Sequence, residues 1–387
     1  MKEFVRTLIP VLCISAAGFL LLLPLFLKKK DAPEEDESSE TAQWIWYGLI
    51  CGTAAVFPLI LTGRDINFTS SYDRFAWPGM IGAVLLLTGL FGSVPHRIFR
   101  GVLLGGTVLL SVFVQWQNQT RYIGIAENYR NYWQQLIWRA PSLEMGTTIV
   151  TSGLALAEED YEIFAPASMI YYPDVKDWAP VSAEVLNENT IRDIRMGNKV
   201  YRNIREIYTE KDYQRLLAIS RPDENACLRV INGRDPVYSV REHSKITEIG
   251  AYSDIGRIIT EPEQAGVYPF FLGEEQAHGW CYYFEKMELA LQQDDPEGAA
   301  ALADEAAGKN LKAGDSVELI PVIEAYIRSG RTDDALPFAD ELAKDDYMAY
   351  QAIVYFTAKD DSEAYRDFVD VLKDISGIDP AETGFSD

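Results

Sequence analysis

Two opposite-charge pairs, Arg64-Asp65 and Asp73-Arg74, lie in the stretch GRDINFTSSYDRFAW between two apolar runs. Held beside a bilayer, such pairs could form a polar site at the membrane surface; as a plain connector they would stop two helices and stay solvated. Glu158, Glu159 and Asp160 place three carboxylates side by side, the residue type for acid/base work. Adjacent acids on a turn are more often solvated than paired, and this cluster reads that way. Cys227 and Cys281 stand in polar surroundings, and a disulfide between them needs an oxidising compartment. Cys13 and Cys51 sit inside apolar runs and read as small buried hydrophobes. The histidines are His96, His243 and His278, with no CxxC and no Cys/His cluster, so no metal site is expected. None of the patterns GxGxxG, GxxxxGK[ST], GxSxG, HExxH or DxDxDG occurs, so neither a catalytic residue nor a cofactor is expected.

The elements that would carry these residues begin with four apolar runs in residues 1–120: about 7–27, 44–61, 77–94 and 101–116. The first is long enough for a hydrocarbon core of about 30 Å, and Lys28-Lys29-Lys30 follows as a stop. Trp44, Trp46 and Tyr47 suit an interfacial belt at the start of the second. The fourth is short and leans on Phe99 and a snorkelling Arg100. Four runs with charges only between them predict about four transmembrane α-helices and a lipid bilayer as partner.

Charge divides the chain in the same place. Residues 1–120 hold nine basic and nine acidic side chains, which leaves 26 basic and 49 acidic to the remainder and puts the whole net charge of −23 there. An acidic surface repels phosphate backbones, so nucleic acid is not an expected partner. Residues 121–141 are aromatic and basic; Tyr129, Trp133 and Leu136 at helical spacing predict an amphipathic linker helix. Residues 142–265 read as a small mixed α/β domain. Its strands are Thr147–Thr151, Ile170–Tyr172 and Cys227–Ile231, the last closed by Asn232-Gly233, and its helix is Asn198–Leu217, with Val200, Ile204, Ile207 and Tyr208 on one face.

Residues 274–375 show three helix–turn–helix segments. Tyr326 and Tyr355 come late in two first helices, and Ala299, Ala335 and Ala364 come early in the second helices, 36 and 29 residues apart. Small alanines let paired helices approach, and stacking buries a shared face. This resembles tetratricopeptide repeats, with a unit of about 34 residues. Gly298 is late, the third turn has no glycine and the closing prolines are absent. The resemblance implies α-helical hairpin repeats that bind a protein partner. Phe284, Met287 and Leu291 read as core.

The succession of apolar helices, the aromatic stretch WQQLIWRAPSLEMGTTIV (Trp133–Val150) and a mixed domain resembles bacterial multi-pass membrane proteins. The layout is similar to the C-terminal end of polytopic, lipid-phosphosugar-dependent glycosyltransferases, which implies a soluble region outside the cell membrane. The family's catalytic acid lies in an early external loop with no counterpart here. Two functions follow as expectations. One is a membrane-anchored scaffold or interaction protein presenting an acidic domain with helical repeats to partner proteins. The other is a C-terminal portion or subunit of such a glycosyltransferase, with a carrier site near Arg64, Asp65, Asp73 and Arg74.

Overall fold

The computed structural model describes residues 37–62, 77–152, 160–204, 206–262, 272–359 and 363–380. The chain separates into two compact units, Met1–Gly124 and Ile125–Asp387.

In the first unit, α1 (Glu37–Leu61) packs closely on α2 (Gly79–Gly92). Glycine allows this approach. A Cβ on Gly48 would fall 2.5 Å from the Leu86 backbone nitrogen, and one on Gly82 would overlap the Gly52 backbone, whereas one on Gly79 would meet nothing within 4 Å. Small residues that let backbones meet are the common device for helix pairing in a bilayer. Arg100 closes the C-terminal end of α2: its Nη2 donates to the Gly92 and Val94 carbonyls at 3.1 and 2.8 Å. α3 (Arg97–Arg139) runs 43 residues without a break, and the unit boundary at Gly124 falls within it.

The expectation of about four transmembrane helices is corrected here. Among the described residues, two helices are long and apolar enough to cross a membrane, within Glu40–Leu61 and Arg97–Arg139. The run 77–94 forms only the 14 residues of α2, about 21 Å at 1.5 Å per residue, short of the hydrocarbon thickness. The run 101–116 is part of α3, continuous with the 121–139 stretch read as a separate linker helix. The run 7–27 lies outside the described residues. The fold is predominantly helical, with small sheets.

The second unit is built around a four-stranded sheet: β2 (Thr148–Ser152), β3 (Ser182–Val185), β6 (Leu216–Ser220) and β7 (Arg229–Val230), in the order β3-β2-β6-β7. β2 runs parallel to both neighbours, and β7 is antiparallel to β6. Alternation decides which side chain faces which layer. Ile149, Leu217 and Ile219 meet α4 (Tyr161–Tyr171) and the end of α3, where Trp133 and Leu136 are fully buried. Val150, Leu216 and Ala218 face α5 (Glu188–Arg195) and α6 (Ser244–Ile249). Both faces are covered, so the parallel strands read as continuous apolar runs. β1 (Ser142–Leu143) pairs with β8 (Ile258–Ile259).

Two local readings change. Asn198–Leu217 is not a helix: β4 (Lys199–Ile204) and β5 (Ile207–Asp212) form an antiparallel hairpin around Glu206, at φ 68°. Ile170 and Tyr171 end helix α4 instead of forming a strand.

Helices α7 (Trp280–Gln292) and α8 (Pro296–Gly308) follow, then α9 (Ile320–Arg328), the short α10 (Thr332–Ala335) and α11 (Pro337–Leu342), and finally α12 (Asp346–Lys359) and α13 (Glu363–Ser376). Asp295 caps α8 by accepting from the Gly298 N–H at 2.9 Å, and Gly330, at φ 76°, turns the chain after α9. One continuous apolar core joins all of these helices except the turns.

Candidate functional site

The residues singled out from sequence do not converge. Arg64, Asp65, Asp73 and Arg74 lie outside the described residues, as do Glu158 and Glu159. Ala299 and Ala335 are fully buried between paired helices, and Ala364 is half-buried against the same core. Tyr326 is buried; its hydroxyl donates to Asp304 at 3.0 Å and Arg331 lies over its ring. Cys227 and Cys281 form a disulfide with a Cα separation of 5.2 Å, which ties the segment before β7 to the first turn of α7. Beside it, Glu318 accepts from the Cys227 N–H and the Trp280 indole, both at 2.7 Å, and from the Gly314 N–H at 2.9 Å. Burial pushes this carboxyl up, against the downward pull of those donors.

Asp160 is not solvated. With Glu184 it holds the ammonium of Lys211, whose side chain is 4% exposed. Asp160 also accepts from the Val185 N–H at 3.1 Å, and Glu184 accepts from Thr190 at 2.8 Å and Tyr213 at 3.2 Å. Every charge has partners, which marks a bracing cluster between β3, β5 and α4.

Tyr355 leads elsewhere. It lines a cavity of about 170 Å³ where β7, the last residue of α3 and helices α7, α9 and α12 meet. The wall carries four cations, Arg139, Arg229, Arg328 and Lys359, and three carboxylates, Asp235, Glu288 and Glu324. Arg139 pairs with Glu288 at 3.2 Å and donates to Gln292 at 2.8 Å. Glu324 is 3.5 Å from Arg328, 3.7 Å from Lys359 and accepts from the Tyr355 hydroxyl at 2.6 Å; Lys359 is also 3.7 Å from Asp235. Burial, then the charge of Glu324, pushes the Tyr355 phenol well above its usual range.

Arg229 differs from these. It is 7% exposed, its Nη2 donates to the Val237 carbonyl at 2.9 Å, and its Nε and Nη1 have no hydrogen-bond partner among the described residues. Glu285, on the buried side of α7, likewise has two unpartnered carboxyl oxygens. Burial pushes it well above the carboxylate range, Glu288 adds to the rise, and Arg139 and Arg229 oppose it. The lining itself holds one more cation than carboxylates, inside a strongly acidic chain.

No search of the sequence for spacing would assemble this wall, because its charged residues come from five separated segments. One signal was available: Glu285 in WCYYFEKMELALQ and Glu324 in IPVIEAYIR interrupt apolar helical faces with a charge. Among the described residues no group of acidic, histidine or cysteine side chains is placed to hold a metal. The chain matches no known protein-family model, no curated protein and no solved structure.

Proposed function

We propose that this is a membrane-anchored interaction protein. α1 and α3 hold it in the cell membrane, the acidic second unit faces an oxidising extracytoplasmic compartment, and the helical hairpins of that unit bind a partner protein. The observation that supports this most is the combination, in one chain, of two long helices whose apolar, membrane-length stretches have almost no buried residues and a separate acidic unit carrying the Cys227–Cys281 disulfide. Helices left exposed over a span of bilayer length fit a lipid surrounding. A disulfide fits secretion across that membrane. The stacked hairpins leave Asp367, Asp370 and Asp374 of α13 exposed on one helix, so the favoured partner surface is basic.

Site-specific photo-crosslinking in cells tests this. A crosslinker at Asp367 or Asp370 should give one discrete protein adduct, weakened by high salt, from chains that resist alkaline carbonate extraction. The same crosslinker at the exposed Arg202 of β4 should not give it. Equal adducts from both faces, or release of the chain by carbonate, would overturn the proposal.

A further inference from the structure

We infer that the cavity between β7 and helices α7, α9 and α12 binds a small, singly charged carboxylate, with Arg229 as its counter-ion. This inference is independent of the partner-binding role proposed above.

The first support is the state of Arg229. A guanidinium stays charged and has five N–H donors. Here three of them, on Nε and Nη1, have no acceptor, and the residue is more than nine-tenths buried. Burying a charge without a partner costs several kcal/mol, so groups in this state are rare unless something else satisfies them. Every other cation of the wall has a carboxylate within 4 Å. Arg229 has none among the described residues. Glu285 does not fill that role in this geometry, because neither of its carboxyl oxygens bonds the guanidinium, and burial raises its carboxyl.

The second support is the charge of the wall. The lining carries four cations against three carboxylates, and Arg328 also pairs with the exposed Asp294 outside it, so Arg229 is the cation left without a carboxylate; a single carboxylate neutralises it and a phosphate, at −1.5 to −2, overshoots. The third is size. A cavity of about 170 Å³ is close to the roughly 150 Å³ that accepts benzene in another protein, so the occupant has up to roughly ten heavy atoms. The carboxylates of the wall already serve Arg139, Arg328 and Lys359, so they offer little to an added ammonium. A carboxylate near Arg229 forms charge-assisted hydrogen bonds, about twice as strong as neutral ones.

The test uses the full chain in detergent micelles, with thermal shift read against acetate, lactate, inorganic phosphate and chloride at matched ionic strength. A ligand that binds only the folded state raises the melting temperature with saturation. Acetate or lactate should do so, and phosphate and chloride should not. Arg229→Gln should move the carboxylate midpoint at least tenfold higher. Asp235, half-buried at its pairing with Lys359, supplies an opposite and gentler change. Asp235→Asn removes one of the two carboxylates beside Lys359 and raises the local positive charge, so the midpoint should fall about threefold or more. This second variant decides the matter if Arg229→Gln does not fold. No saturable shift with either carboxylate, tighter binding of phosphate, an unchanged midpoint in a folded Arg229→Gln protein, or an unchanged or higher midpoint in Asp235→Asn would each overturn the inference.

Discussion

The ammonium of Lys211 sits between Asp160 and Glu184, almost out of reach of solvent. Removing one member of such a cluster leaves the others as uncompensated charges, at a cost of about 3–5 kcal/mol. Lys211→Met should therefore lower stability by about that amount in denaturant unfolding, and adding Asp160→Asn with Glu184→Gln should recover much of it. If Lys211→Met alone were neutral, the cluster would not brace the sheet. Glu285 gives a prediction of the opposite sign. Its folded-state pKa is raised, with burial as the leading cause. The unfolded chain then releases this proton near pH 4.3, before the folded chain does, and stability is lost as pH rises from there toward the folded value. Glu285→Gln removes that loss. Its melting temperature should exceed the parent's at pH 7, and the two should converge as pH falls below about 4. A Gln variant less stable at pH 7 would mean that Glu285 is ionised and serves Arg139 or Arg229.

α1 and α2 meet through glycine, and the two kinds of glycine on α2 separate packing from propensity. Gly82→Ala forces a Cβ into the Gly52 backbone, whereas Gly79→Ala meets nothing. Overpacking of this kind costs about 1–3 kcal/mol. A cysteine crosslink engineered between the two helices should be lost in Gly82→Ala and kept in Gly79→Ala; equal crosslinking would show that the close approach is not needed. Elements also show where the sequence could be read and where it could not. The strand expected at Thr147–Thr151 forms one residue later, at Thr148–Ser152; it was legible because a β-branched run buried on both faces has few other uses. Val200, Ile204, Ile207 and Tyr208 satisfy a helical period, yet they form β4 and β5: the β-forming residues around them and the turn at Glu206 outweighed the period. The apolar run at 77–94 overstated α2, because hydropathy does not register that Trp77 and Pro78 stay outside the helix and that Ser93 ends it.

At the scale of the whole chain, the boundary between a neutral, apolar part and an acidic part was visible in charge alone, near residue 120, and the compact units divide at Gly124. The cavity was not visible, because Arg139, Arg229, Glu285, Glu324 and Lys359 are brought together only when the helices after Gly279 fold back on β7 and the end of α3. Asp160 was misread for the same reason: its neighbours in sequence are acids, but its partner Lys211 is 51 residues away. The account rests on a unit that resides in an oxidising compartment on membrane helices, and the thiol state of Cys227 and Cys281 in the cell addresses that most directly. In a chain carrying Cys13→Ser and Cys51→Ser, membranes are quenched in acid, denatured and treated with a polyethylene-glycol maleimide, with and without prior reduction. A Cys227–Cys281 disulfide in the cell gives no mass shift without reductant and two additions with it. Two additions without reductant would show free thiols, and would contradict an oxidising location for the acidic unit.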